Sequence, residues 1–248
     1  MDTIERNTRQ ILTIARSAGA LAGVADLALL KDLPSYGGLR LSDYNYAVSV
    51  AIVLPSDAIA MIKDENPGVL YAHAYKNANQ ALDLITLAIA QDIERRGYRT
   101  LIIPASMTID REKCAGHASH KAFAWASGLG WIGRNALLIN PKYGPDLRLA
   151  TVLTDMPLKP GSPIKNGCGE CRLCVLSCPA KVLTHSKFDV RPARRDEILD
   201  AEGCLTRLER NKSNLARDSL TSPYAATICG VCIKVCPVAK RGKMTGQK

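Results

Sequence analysis

The sequence predicts an α/β body over residues 1–158 followed by a smaller, cysteine-bearing module over residues 159–248, and three observations predict it. Helical and strand-like apolar periods alternate as far as Thr154. Pro157, Pro160, Gly161 and Pro163 then crowd together and mark a linker. Of the nine cysteines, Cys114 stands alone, and the others all lie between residues 168 and 236.

The elements follow in order. Thr3 to Ser17 has helical spacing, with Ile4, Ile11, Leu12 and Ala15 on one stripe. Ala20 to Asp26 is short, apolar and glycine-containing, and reads as a strand. Tyr46 to Leu54 is rich in β-branched residues and stops at Pro55, a second strand. From Val69 to Arg96 the period is helical, with Ala81, Leu84, Ile85, Ala88 and Ile89 expected on one face, and Gly97 ends it. Thr100 to Ile103 is another strand, closed by Pro104. A small-residue helix follows over Ala118 to Ser127. Ala136 to Ile139 and Leu147 to Thr154 read as the two arms of a hairpin around Asn140-Pro141-Lys142-Tyr143-Gly144-Pro145, since Pro and Gly supply the dihedrals of a tight reversal. The mixed-charge insert Arg191 to Arg217 reads as a solvated helical excursion, and the tail KRGKMTGQK is basic.

Composition narrows the class. With 47% apolar and 23% charged residues the chain is neither disordered nor a coiled coil. Aromatics make up only 5%, so aliphatic residues must build the core. No apolar run reaches the ~20 residues of a membrane helix, and MDTIERNTRQ lacks the apolar stretch of a signal peptide. A soluble, cytoplasmic protein without a membrane partner is expected, and a reducing cytosol argues against disulfides. No G-x-G-x-x-G follows a strand and there is no Walker loop, so a nucleotide phosphate site lacks a sequence signature.

The cysteines carry the chemistry. Residues 168–179 read CGECRLCVLSCP, a C-x2-C-x2-C-x3-C-P run. Three thiolates at this spacing let one loop wrap three corners of a 4Fe–4S cubane, and in two-cluster ferredoxins the fourth serves the other cluster. Residues 229–237, CGVCIKVCP, form a second run that alone would equally suit zinc. Two cubanes need one thiolate more than the runs supply, and Cys204 lies between them. Exchange of the last ligand then pairs Cys168, Cys171 and Cys174 with Cys236, and Cys178, Cys204, Cys229 and Cys232 with each other. A pair of zinc sites is the competing assignment. Thiolates and oxidised cores would lower the formal charge of +10 to about +6, still basic, which suits nucleic acid, an acidic electron-transfer partner or merely a solvated face.

Gly128-Leu129-Gly130-Trp131-Ile132-Gly133, the segment ending in Asp155-Met156-Pro157-Leu158, and both cysteine runs with Cys204 between them resemble the epoxyqueuosine reductase family. That family is cobalamin-dependent, carries two 4Fe–4S clusters and is related to reductive dehalogenases. The resemblance implies an α/β (α+β) corrinoid-binding-like N-terminal domain, a bacterial-type two-cluster ferredoxin-like module and the same ligand partition. It also implies corrin contacts at Arg134, Asn135, Leu138, Leu149 and Val152. An apolar strand pair with free backbone donors suits a large, mostly apolar disc rimmed by amides, although Leu138, Leu149 and Val152 equally suit a core. Two departures stand out. The family's proton-donating aspartate, seventeen residues before the tryptophan, is here Cys114, a thiol able to donate a proton, bind metal or act as a nucleophile. The sequence also stops soon after the last cluster ligand, where tRNA-acting members continue with helical repeats. His117 and His120, near Cys114, are candidates for acid, base or lower cobalt ligand. Tyr71 and Tyr75 are candidates for lining a cofactor pocket or for packing, and His73 and His185 have no context.

The function expected is an iron–sulfur oxidoreductase that takes electrons from ferredoxin or flavodoxin and passes them through both clusters to a corrinoid. Its substrate, a small molecule or tRNA, is left open. The alternatives are an electron-transfer or corrinoid-reducing protein without its own substrate, and a tRNA-modifying epoxyqueuosine reductase.

Overall fold

The computed structural model describes residues 2–184, 186, 188–190, 194–218 and 226–238. His185, Arg191 and the basic tail lie outside the described residues. In chain order the elements are α1 (Thr3–Ser17), β1 (Leu21–Asp26), β2 (Tyr46–Val53), α2 (Ser56–Ala60), α3 (Val69–Arg95), β3 (Thr100–Ile103), α4 (His120–Ala126), β4 (Trp131–Ile132), β5 (Leu138–Ile139), β6 (Leu147–Thr154), α5 (Leu173–Leu176), α6 (Ala201–Asp218) and α7 (Val231–Lys234). The chain separates into two compact units. The first contains residues 1–52, 79–130 and 148–164, and the second contains 53–78, 131–147 and 165–248.

The first unit is built on a four-stranded sheet of order β1-β2-β6-β3. β1 pairs antiparallel with β2, Leu21 opposite Ala51, and β3 pairs antiparallel with β6, Thr100 opposite Thr154. The central strands carry apolar residues almost continuously because both faces are covered, whereas β3 on the edge leaves Leu101 exposed. Ile11 and Ala15 of α1 join Val24, Val48, Val50, Ala150 and Val152 in the core. The stripe that α3 adds is Leu82, Ile85, Ile89 and Ile93, while Leu84 is 69% exposed and Ala88 is also exposed. The helix is where its period predicts, but its buried face is turned from the one expected. Positions 82, 85, 89 and 93 follow one 3.6-residue stripe, and Leu84 lies about 200° around the helix from Leu82.

Two further differences concern connections. β6 does not fold back on Leu138–Ile139, so the expected hairpin is not formed. The Asn140–Gly144 loop closes on itself through Asn140 N–H to Gly144 O at 2.9 Å and Gly144 N–H to Asn140 O at 2.8 Å. β5 instead pairs with β4, Trp131 opposite Ile139, around a turn in which Ala136 has φ 57°. The proline-rich stretch read as a linker is strapped to the first unit. Lys159 N–H donates to Thr8 Oγ1 at 2.7 Å, and Gly161 N–H donates to Val24 O at 2.8 Å. A Cβ at Gly161 would sit 2.3 Å from Ser127 O, so only glycine lets this strap lie against the end of α4.

The second unit has little regular structure. α5 and α2 each pack on α7, and Ile59, Ile62, Leu138, Leu215, Ile228 and Val231 are among the buried apolar residues of this unit. α6 spans most of the insert expected to be helical and is pinned by its polar side chains. Arg207 donates to Asp64 O, and Asn214 Nδ2 donates to Glu65 O at 2.8 Å. No helix among the described residues is long and apolar enough to cross a membrane.

Candidate metal centre

Two short helices, α5 and α7, and the longer α6 present the cysteines of the second unit. Cys171 N–H returns to Cys168 O at 3.1 Å, and Cys178 N–H to Val175 O at 3.3 Å, so the first run coils tightly around α5. At the second run Gly230 takes φ 85° before α7, and a Cβ there would meet Ile62 at 2.7 Å. The ring of Tyr71 lies against that same glycine and stacks edge-on with Tyr75 at 6.4 Å, so Tyr71 serves packing. Cys236 N–H closes the loop on Ile233 O at 3.1 Å.

Cys168, Cys171, Cys174 and Cys236 line one cavity together with Arg134, Asn135 and Ile139. The electrostatics group the same four. Burial first, and then Cys168, Cys236 and Cys171, together push the Cys174 thiol up to about 11. The remaining thiols form a second group. Burial raises Cys232 most strongly, followed by Cys229, Cys174, Cys204 and Cys178. The contribution of Cys174 to Cys232 makes the two groups neighbours. Among the described residues no group of three or more His, Cys, Asp or Glu side chains converges on a single metal ion. Four thiols instead rim a hollow, which fits a cluster with a sulfur at each iron corner. Crowded thiols that resist ionisation in isolation become ligands when cationic iron supplies the compensating charge.

Residues that cysteine spacing does not reveal hold these loops. Asn166 accepts from Cys168 N–H at 2.9 Å through Oδ1 and donates to Ile132 O at 3.2 Å through Nδ2. Arg134 donates to Gly169 O, and Asn135 Nδ2 donates to Cys232 O at 3.4 Å. Trp131 Nε1–H donates to Cys168 Sγ at 3.4 Å. On α6, Cys204, Arg207 and Asn211 lie at i, i+3 and i+7, one helical face. Asn211 is fully buried and donates to Ile228 O at 2.9 Å. Burial raises the Cys229 thiol, and Val231 N–H, Arg207 and Asn211 oppose that rise. The i+7 spacing from Cys204 was a signal present in the sequence. The role of Trp131 was not.

The five candidate corrin contacts are all buried, at 9% exposure or less. Val152 belongs to the sheet core, and Arg134 and Asn135 line the cavity and donate to Gly169 O and Cys232 O. Leu138 and Leu149 are buried strand residues.

Cys114, His117 and His120 lie in the first unit, each tied to a different segment. Cys114 sits at φ 48° in the loop closed by Asp110 and Ala115, with Sγ 3.6 Å from Arg111 O. His117 Nδ1–H donates to Tyr36 O at 3.2 Å. His120 Nε2–H donates to Pro104 O at 3.2 Å, and Nδ1 accepts from Thr151 Oγ1–H at 2.8 Å. Both ring nitrogens are thus committed, and burial pulls the imidazole down to about 4. Between that value and the ordinary 6.5 the unfolded chain binds a proton that the folded one refuses, so stability must fall as pH falls through this window. The thermal midpoint of wild type is expected to drop more between pH 7 and pH 4.5 than that of His120→Gln. Parallel pH profiles would remove the imidazole as the cause.

Comparison with known proteins places these features. Residues 167–239 match the 4Fe-4S double cluster binding domain family. The chain is similar to epoxyqueuosine reductases, at 25% identity over 193 residues to the Aliivibrio fischeri protein, covering 75% of this chain and 46% of that one. With the Bacillus subtilis protein identity is 31% over 233 residues, 92% of this chain and 56% of that one. The chain therefore spans about half the length of these relatives. Its fold is that of a solved reductive dehalogenase, whose structure is described as suggesting a mechanism for B12-dependent dehalogenation. The TM-score is 0.72 at 19% identity, covering 99% of this chain and 34% of that one.

Proposed function

We propose that the chain is an iron–sulfur oxidoreductase in which two 4Fe–4S clusters move electrons for a reductive reaction. The observation that carries it is the gathering of Cys168, Cys171, Cys174 and Cys236 around one cavity, beside a second group centred on half-buried Cys232. When bound, the clusters supply one-electron steps across potentials of about −700 to +450 mV. The protein's own part is to hold the thiolates and to direct N–H groups at sulfur. Anaerobically purified protein is expected to contain about eight irons and eight sulfides per chain. Zinc, or about four irons, would overturn the assignment.

Cobalamin as the group reduced rests on the likeness to epoxyqueuosine reductases and to the B12-dependent dehalogenase, with Arg134, Asn135, Leu138, Leu149 and Val152 as its proposed contacts. Reconstitution followed by gel filtration tests it, because retained corrin bands support a cobalamin enzyme and cluster absorption alone supports an electron carrier. A ferredoxin or flavodoxin is the proposed donor, and Cys114, with His117 nearby in sequence, is proposed to stand on the substrate side. tRNA as substrate is supported by the likeness to epoxyqueuosine reductases and predicts salt-sensitive tRNA binding.

A further inference from the structure

Trp131 is 6% exposed and is held from both sides. Its backbone pairs with Ile139 across the β4–β5 ladder, and its ring lies over the backbone of Gly167, where a Cβ would come within 2.9 Å of the ring carbons. An indole N–H can only donate, and leaving it unpaired when buried costs free energy. Its acceptor here is Cys168 Sγ at 3.4 Å. Asn166 fixes that sulfur's own backbone, accepting from Cys168 N–H while donating to the neighbouring Ile132 carbonyl. Donor and acceptor are thus located by separate contacts, so the bond is built into the loop.

We propose that Trp131 is a positioning residue that sets the potential of the cluster bound by Cys168, Cys171, Cys174 and Cys236 through its N–H bond to the Cys168 sulfur. Each electron added to a cluster increases the negative charge on its thiolate sulfurs. A donor aimed at one of them stabilises the reduced form more than the oxidised form and raises the potential. Such a bond sits on one cluster only. It therefore helps set the difference between the two clusters and the direction in which electrons run.

The inference rests on the two-cluster assignment, and the two fail differently. Redox titration followed by electron paramagnetic resonance is carried out on anaerobic holoprotein, wild type and Trp131→Phe, with iron and sulfide counted in both. The variant is expected to keep its iron and to shift one midpoint downward while the other stays in place. The expected loss is about tenfold in the reduced-to-oxidised ratio at fixed potential, equal to about 59 mV for a one-electron couple. Unchanged midpoints, or equal shifts in both, overturn the role of Trp131. A wild type lacking about eight irons overturns the assignment itself. Should Trp131→Phe lose iron, site-specific benzothienylalanine at position 131 keeps the ring shape and removes only the N–H. The same single downward shift is expected there, and its absence overturns the proposal.

Discussion

Cys232→Ser is expected to halve the iron and sulfide of the anaerobic protein, from about eight to about four of each per chain, and to loosen the second unit. Burial dominates the environment of this thiol, and Cys229, Cys204 and Cys178 of the same group also press on it. A serine hydroxyl is a poor ligand for iron at neutral pH. The three thiols left behind would then repel one another without a full cluster. Part of the fold depends on that compensation, since the cysteine loops of the second unit run through the four-residue helices α5 and α7. Metal binding in such a unit is largely folding free energy. Far-ultraviolet dichroism of the variant, or of wild type stripped by an iron chelator, should show this unit melting early while the sheet of the first unit stays cooperative. Full iron content in Cys232→Ser would remove this cysteine from the ligand set.

Phe123→Ala is expected to destabilise the first unit by about 3–5 kcal/mol, the range for truncating a fully buried aromatic. Phe123 is 0% exposed on α4, between Ala122 and Ala124, which are themselves buried, and α4 packs on β1. Small neighbours give the helix its close approach and leave little mobile side chain to fill a hole. With only 5% aromatic residues in the chain, few rings are available to repack into the space. Chemical denaturation read by a first-unit probe measures the loss, and iron content serves as the control. A loss under about 1 kcal/mol would mean the site collapses freely around the missing ring.

The sequence by itself determined what depends on neighbours along the chain. The limits of α1, β3 and α3 follow from period and punctuation, and both cysteine runs follow from spacing, because a peptide loop of a few residues can reach only so far. The helical insert bearing Cys204 was legible for the same reason, and so was the likeness carried by the Gly-Trp-Ile-Gly segment and the cysteine runs. Tertiary structure decided what depends on partners distant in sequence. The Asn140–Gly144 turn bonds to itself, so β5 found β4 and β6 found β3. Leu84 matches the helical period of α3 as well as Leu82 does, and only packing buried one and exposed the other. Trp131 reads as one apolar residue in a motif until Gly167 and Asn166 bring Cys168 beneath its N–H. A period specifies that a face exists, while the energy that selects the face, the strand partner or the hydrogen-bond acceptor comes from surfaces that meet only once the chain has folded.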